Sequence, residues 1–475
     1  RQTLKDGSLT EKDIDESLLP LLDLEEITRL NDNKGVLADL TSHHEFAYKV
    51  ASEAIVLLKN DGVLPLINTK EIGVIGSFAK TPRINGGGSA TLRPFITEIP
   101  LTELEKDFSV EYADGYIEEN TTSQLLDEVK SVCEKSETIV YFTGTTKSFE
   151  VEGRERNHMD LPDGHLQVFD VIKEYAKKII VILSNGAAIN VTPLKDHANA
   201  LIEGWMLGSA NARPLVDVLL GRVNPSGRLS ETFPLSIEHT PFYGQFPSLQ
   251  DDVNYFGDIL NVGYKYYDSH HIPVAYPFGY GLSYSTFEYK DITLSKTVLT
   301  DNDDLEVRVT VKNNSNIDGY EVVQLYINDV ESYYPRPLKE LKAFKKVFIK
   351  AFEEVVVSFT LNKDAFSIYA VDFKEFRVEQ GEFKIMVGRN VSDIELIETV
   401  EYKTTLPITN NLTLAHPLLN FFKYKPETVE YIRTQYRDFP WYEIEEPALR
   451  VLKRVKAQFN ISDDEFQKML DKMLQ

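Results

Sequence analysis

An α/β sandwich followed by an all-β domain and a helical tail is the fold this sequence predicts, on three observations. Residues 41–235 alternate short apolar runs with amphipathic helical patterns, which argues a mostly parallel sheet with helices on both faces. Residues 288–403 change to period-two alternation punctuated by Asn, Asp, Gly and Pro, which argues a β-sandwich. Residues 404–475 are acidic and carry apolar positions at helical spacing. A chain of 475 residues has room for about two to four such domains.

The elements follow in order. Residues 1–40 read as a helix and a linker. Ser8-Leu9-Thr10-Glu11 offers an N-cap, and Leu9, Ile14, Leu18, Leu19 and Leu22 form an approximate apolar face. Pro20 is expected to kink or end this helix. A second helix is predicted over 43–59. Buried-strand runs then come at Ile72–Gly76, Thr138–Phe142, Ile179–Leu183 and Ala200–Ile202, with helices over 122–135 and 163–177 between them. Residues 236–287, rich in Tyr, Pro and Gly, read as an irregular connection. In the β domain, Leu305–Val311, Val322–Tyr326 and Glu354–Phe359 alternate. In the tail, Val451, Val455, Phe459, Phe466, Met469, Leu470 and Met473 share a helix face, read first as packing within the chain and second as a partner surface.

Charge narrows the partners. A formal net charge of −23 repels nucleic acid and anionic membranes, so neither is expected; a neutral sugar is compatible with it. No apolar stretch approaches the ~20 residues a membrane span needs. The single cysteine, Cys133, permits no internal disulfide and no thiolate zinc site. The pairs His43–His44 and His270–His271 lack the i, i+4 spacing of a helical metal site. Neither a metal nor another cofactor is expected. No G-x-S-x-G elbow, H-E-x-x-H pair or Walker loop is present, so serine or zinc hydrolase chemistry has no support. No signal peptide is visible, and a cytoplasmic location is expected.

In open α/β sheets ligands gather at loops beyond the carboxyl ends of strands, and two such loops stand out. Arg83-Ile84-Asn85-Gly86-Gly87-Gly88-Ser89-Ala90 follows the run at 72–76, and its three glycines allow a ligand to approach the backbone. Arg83, Gly86, Gly87, Gly88 and Ser89 are the candidates for substrate contact. Phe149-Glu150-Val151-Glu152-Gly153-Arg154-Glu155-Arg156 follows the run at 138–142. Neighbouring carboxylates with arginines suit acid/base work, because their environments can push two pKa values apart. The bland alternatives are a flexible turn for the first loop and a solvated charge cluster for the second. A third stretch, Tyr264-Lys265-Tyr266-Tyr267-Asp268, with Tyr276–Tyr284 behind it, suits either carbohydrate stacking or an ordered domain junction.

The order of these stretches resembles family 3 glycoside hydrolases over roughly residues 5–405. Ala51–Leu66 is similar to the family's entry into its α/β sandwich, and Gly86–Ala90 to its Gly-rich loop. Phe149–Arg156 with Leu161-Pro162 resembles the E-x-E-G-x-D-R…L-P segment, and Asn224-Pro225-Ser226-Gly227-Arg228-Leu229 the N-P-S-G-R-L turn. Val262–Asp268 and Pro277–Phe287 match two further signatures, and Arg336–Phe344 resembles the fibronectin-III-like module. The sequence departs from the family at Glu155-Arg156, where D-R is usual, and at Gly208–Ala212, where G-Q-E-G-G is usual.

The resemblance implies retaining hydrolysis of terminal non-reducing β-D-glucosyl residues. In such chemistry one carboxylate attacks the anomeric carbon while a second, about 5–5.5 Å away, protonates the leaving oxygen and later activates water. The family's acid/base lies on the sandwich loop, here Glu150 or Glu152, with Glu150, the first Glu of the motif, favoured. The family's nucleophile is an Asp in an S-D-W-like stretch of an N-terminal barrel, and no Ser-Asp-Trp occurs here. Residues 1–30 resemble the last helix of that barrel. The implied partner is therefore a barrel-bearing chain or domain carrying the nucleophile, without which the chain is expected to be inactive. The resemblance leaves open a homo-oligomer, a β-xylosidase specificity, and a non-catalytic sugar-binding or scaffold role.

Overall fold

The computed structural model describes residues 2–31, 38–246, 260–409 and 447–474, together with 418, 421, 432 and 434–436. Parts of the expected irregular connection and of the tail lie outside these. The chain divides into two compact units, Arg1–Phe46 and Ala47–Gln475.

In the first unit a helix spans Glu11–Leu30. Thr10 and Asp13 form a reciprocal capping box: the Asp13 amide donates to the Thr10 hydroxyl at 3.2 Å, and the Thr10 amide to the Asp13 carboxylate at 2.8 Å. The helix continues through Pro20 instead of ending there. Proline removes one donor to the preceding turn, and no residue of this helix is buried, so the freed carbonyl can turn to water. Leu19, Leu21, Leu22, Leu24, Ile27 and Leu30 are all exposed.

The second unit opens its sheet with β1 (Val56–Asn60), which corrects the expectation of a helix to residue 59. The helix stops at Ala54, and the fully buried run Ile55-Val56-Leu57-Leu58 is extended. A short apolar run has the same periodicity whether it is a buried strand or a buried helix turn. β2 (Glu71–Ile75), β3 (Ser109–Ala113), β4 (Thr138–Gly144), β5 (Lys178–Ser184) and β6 (Ala200–Glu203) complete a six-stranded sheet. Its order is β1-β6-β5-β4-β2-β3, parallel throughout except that β1 runs against β6. Every residue of β4 is buried, as a central strand covered on both faces requires. Helices Ser123–Lys135, Asp163–Tyr175 and Arg213–Leu220 pack their apolar sides on the sheet.

This order fixes where a ligand can sit. The chain leaves β2 for β3 on one side, returns across it to β4, and then builds β5 and β6 on the other side. The loops after β2 and β4 therefore diverge, leaving a crevice between the carboxyl ends of those strands. The Gly-rich loop and the glutamate loop are the two loops in question.

A junction then closes the sandwich. β7 (Phe233–Pro234) pairs with β8 (Val274–Tyr276). The Asn224–Leu229 turn lies against β1: the Gly227 amide donates to Ile55 at 3.1 Å, and a Cβ on Gly227 would collide with the Ile55 and Ala54 carbonyls. The Leu282 amide donates to the Leu57 carbonyl at 2.8 Å, bridging to the β1 strand. Beyond come β9 (Phe287–Leu294), β10 (Val298–Thr300), β11 (Leu305–Asn313), β12 (Gly319–Asp329), β13 (Glu340–Ile349) and β14 (Glu354–Leu361). The short pair β15 (Ile368–Ala370) and β16 (Glu375–Arg377) precedes β17 (Gly381–Asn390) and β18 (Asp393–Lys403). They form two facing sheets, β10-β18-β17-β12-β13 and β14-β11-β9, around one apolar core. A buried ion pair joins this sandwich to the junction: Arg228 Nη2 lies 3.1 Å from Glu321 Oε2. The Tyr264–Ser269 helix belongs to the same junction: Asp268 pairs with Lys339 at 2.6 Å and the Tyr264 ring stacks on Phe278.

The tail forms helices Ala448–Phe459 and Asp463–Leu474, separated by the left-handed turn at Asn460. Val451, Val455, Phe466, Met469 and Met473 bury their side chains against Leu418, Phe421 and Ile432, so this face packs within the chain.

Candidate functional site

The glutamate loop leaves β4 at Gly144, whose φ of 152° and close approach to the Ser184 carbonyl leave no room for a Cβ. Thr146 then donates to the Glu119 carboxylate at 2.8 Å and fixes the loop's first turn. The Gly-rich loop lies directly alongside: the Gly87 amide donates to the Glu150 carbonyl at 2.9 Å. A Cβ added at Gly86 or Gly87 would only reach ordinary contact with that same carbonyl, so the approach of the two loops does not itself require glycine there.

Within this arrangement the two candidate glutamates differ. Glu150 is anchored. Its Oε1 accepts from the Gly186 amide at 2.6 Å, and its Oε2 lies 3.4 Å from Arg83 Nη2. Arg83 and Glu150 side chains are only 6 % and 12 % exposed. Glu152 is exposed, and its Oε2 accepts from the Ser89 hydroxyl at 2.6 Å. Both oxygens of Glu150 are thus engaged within the protein, whereas Glu152 stands at the surface with a hydroxyl on one oxygen.

Arg83, a candidate for substrate contact, is engaged within the protein. Its Nε donates to the Thr145 carbonyl at 3.0 Å and its Nη1 to Asn85 at 2.9 Å, so its guanidinium holds the two loops together and is turned away from solvent. Burial pulls its pKa down and the charge of Glu150 pulls it back up. Gly88 and Ser89 are exposed beside Glu152, while Gly86 and Gly87 are half-buried under the loop.

Sequence reasoning passes over the groups beneath the anchor. Glu203, at the end of β6, is fully buried. Its Oε1 accepts from the Trp205 amide at 2.7 Å and its Oε2 from Asn185 Nδ2 at 2.9 Å. Asn185 Nδ2 also donates to the Ala187 carbonyl at 3.1 Å, which fixes the turn carrying the Gly186 amide. Burial pushes the Glu203 pKa up to about 8, with the charges of Glu231 and Glu150 adding to it. Burial also raises the Glu231 pKa, which Arg156 opposes. An acidic residue closing a wholly apolar strand was the available signal, but the expected strand stops one residue short of it.

The glutamate loop also borders a cavity of about 740 Å³. Phe149, Glu150, Arg156, Glu231, Phe242 and Phe246 are among the residues that line it. The segment that replaces G-Q-E-G-G is also well held: the Arg213 amide and Nε donate to Glu98 at 2.8 and 2.7 Å, and Asn211 donates to the Glu98 carbonyl at 2.9 Å. Among the described residues no group of three His, Cys, Asp or Glu side chains is placed to hold a metal ion.

Comparison with known proteins gives concordant matches. Residues 55–284 match the glycosyl hydrolase family 3 C-terminal domain, and residues 321–391 a fibronectin type III-like domain. Thermostable β-glucosidase B of Acetivibrio thermocellus is 39 % identical over 420 residues, covering 87 % of this chain and 55 % of that protein. An exo-α-(1→6)-L-arabinopyranosidase of Bifidobacterium breve is 33 % identical over 425 residues, covering 86 % and 55 %. The crystal structure of a Bifidobacterium adolescentis family 3 β-glucosidase superposes with a TM-score of 0.82 at 32 % identity, covering 89 % of this chain and 62 % of that one. The chain thus spans about half the length of the curated relatives it matches.

Proposed function

The chain belongs to glycoside hydrolase family 3, and from that premise we propose that it donates the general acid/base of a retaining β-glucosidase, with Glu152 in that role and Glu150 as its anchor. The observation that carries this division is the asymmetry of the two carboxylates. Glu150 is ion-paired and accepts a backbone N–H. Glu152 stands outward with the Ser89 hydroxyl on one oxygen.

In the first half-reaction the Glu152 carboxyl delivers its proton to the glycosidic oxygen as the bond to the anomeric carbon breaks. In the second, the resulting carboxylate takes a proton from the water that attacks the glycosyl-enzyme. Ser89 on Oε2 leaves Oε1 to face the substrate. The nucleophilic carboxylate comes from a barrel-bearing partner chain or domain, about 5–5.5 Å from Glu152. Glucose at the reacting position is supported by the relative at 39 % identity, whose name is that of a β-glucosidase.

The test is reconstitution. The chain, combined with a barrel-bearing portion, is assayed on an aryl β-glucoside and on the matching xyloside. Glu152→Gln is expected to lower kcat by about 10²–10⁴-fold, as loss of general acid/base assistance does. Glu150→Gln is expected to act mainly by loosening the loop. Full activity with Glu152→Gln would overturn the assignment. No activity in the assembled pair would overturn the enzymatic reading and leave the non-catalytic one.

A further inference from the structure

We propose that Glu203, buried at the end of β6, is a positioning residue for the acid/base: through Asn185 it holds the turn Asn185–Ala188, and that turn holds the loop that carries Glu152. This rests on the acid/base reading above. The turn follows β5, and the glutamate loop is tied to the end of β5 and to this turn at three places along its length. At its start the Thr145 amide donates to the Ser184 carbonyl at 3.1 Å. In its middle Glu150 Oε1 accepts from the Gly186 amide at 2.6 Å. At its end Arg156 Nη2 donates to the Ala188 carbonyl at 3.3 Å. Glu152 lies between the second and third of these ties, so its backbone is fixed to the turn on both sides.

Side chains set the shape of the turn. Asn185 is wholly buried, and its Nδ2 donates both to Glu203 Oε2 at 2.9 Å and to the Ala187 carbonyl at 3.1 Å. The Glu203 carboxyl, itself held by the Trp205 amide on Oε1 at 2.7 Å, thus decides which way the Asn185 amide faces. That amide in turn fixes the carbonyl two residues on. A second carboxylate, Glu231, accepts from the Ala188 amide at the far end of the turn.

The core gains nothing from a carboxyl at this place. Leu201 and Ile202, which precede it in β6, are buried apolar residues, and another would avoid the desolvation that disfavours the Glu203 charge. What a buried, hydrogen-bonded carboxyl provides is one specified arrangement of its neighbours. Here that arrangement is the turn whose amide anchors Glu150. Glu203 acts on the chemistry through Asn185, which makes it a positioning residue and not a catalytic one.

The experiment uses Glu203→Gln, and Asn185→Ala as a second variant that leaves the carboxyl in place. The amide introduced by Glu203→Gln meets the Asn185 amide donor to donor, and turning Asn185 over to relieve this takes the donor away from the Ala187 carbonyl. In the first measurement hydrogen exchange is followed by mass spectrometry on the whole 475-residue chain. In both variants exchange over residues 145–156 and 185–188 should quicken by about tenfold, as losing the net contribution of one hydrogen bond does, and stay unchanged in β4 and β5. In the second, kcat/KM of the assembled enzyme is compared on a methyl β-glucoside, whose leaving oxygen needs the proton, and on a dinitrophenyl β-glucoside, whose leaving group departs as an anion. Both variants should lower it by about tenfold or more on the methyl glucoside, as a misplaced group does, and far less on the dinitrophenyl one. A residue that only supports the fold lowers both alike. Unchanged exchange over the loop in both variants, or equal loss on the two substrates, would overturn the proposal. An unsubstituted pair without activity would overturn the glycosidase reading instead, and the exchange measurement, which needs no hydrolysis, still decides whether Glu203 holds the loop.

Discussion

Glu203 makes the stability of the sandwich fall as pH rises, and replacing it with Gln should remove that dependence. The carboxyl is fully buried and its pKa rises from the ordinary 4.5 to about 8. At intermediate pH the folded protein keeps a proton that the unfolded chain has released. The folded state is therefore most favoured below the ordinary pKa, loses stability as pH rises through the window from 4.5 to about 8, and is flat above it. A shift of that size corresponds to about 5 kcal/mol across the whole window, and to about 3 kcal/mol between about pH 5.5 and about pH 7.5. Gln has the same shape and does not titrate. Asn185 Oδ1 is buried without a partner and can receive the new amide N–H if the Asn185 amide turns over. Urea unfolding, followed by Trp205 fluorescence in a Trp441→Phe background, gives stability at both pH values for Glu203 and Glu203→Gln. The difference between the two proteins should grow by about 3 kcal/mol in favour of Gln at the higher pH. Comparing two proteins cancels the titrations of groups that do not interact with Glu203. Parallel pH profiles would show that the buried proton does not reside on Glu203.

Three further outcomes follow from the same interior. Arg83→Met should destabilise by about 3–5 kcal/mol, because it leaves Glu150 buried beside its amide without a cation; adding Glu150→Gln should recover much of the loss in urea melts. Arg228→Met strands Glu321, whose side chain is 3 % exposed, and should cost about 3–5 kcal/mol and split calorimetric unfolding into separate sandwich and β-domain transitions. Burial lowers the His165 pKa from 6.5 to about 4, so the ring is neutral in the folded protein and stability is lost as pH falls from 6.5 towards 4; its ring proton resonances should titrate with a midpoint of about 4.

Most of the fold was legible because its elements announce themselves locally. Ile139–Phe142 and Ile179–Leu183 are apolar and β-branched enough to be central strands, and the helices over 123–135 and 163–175 fall within two residues of expectation. The failures have identifiable causes. β3 reads Ser-Val-Glu-Tyr-Ala, an edge strand with one side to solvent and too few apolar residues to stand out. β1 is indistinguishable by periodicity from the end of the preceding helix, and only its pairing with β6 decides it. Pro20 marks a place where a helix can kink or end, and this exposed helix continues through it.

The site was legible as two loops and illegible as a division of labour. Sequence order put the Gly-rich loop after β2 and the glutamate loop after β4, and these two strands are neighbours in the sheet. Which glutamate is anchored depends on Arg83, 67 positions away, and on a backbone N–H at Gly186, which no side-chain pattern encodes. Arg83 looked like a ligand contact for the same reason: an arginine beside three glycines carries no mark of which way it turns.

The bridge from Leu282 to Leu57 has a consequence during synthesis. β1 leaves the ribosome well before the segment that lies against it, which belongs to the far side of the junction. Emerging at about 5–20 residues per second, the chain takes on the order of ten seconds or more to deliver that partner. Throughout this interval the side of β1 away from β6 is an unpaired apolar edge, a template on which another nascent chain can add a strand. A ribosome pause before residue 282 has cleared the ribosome should lengthen this exposure and raise aggregation, whereas one placed well beyond that point should not.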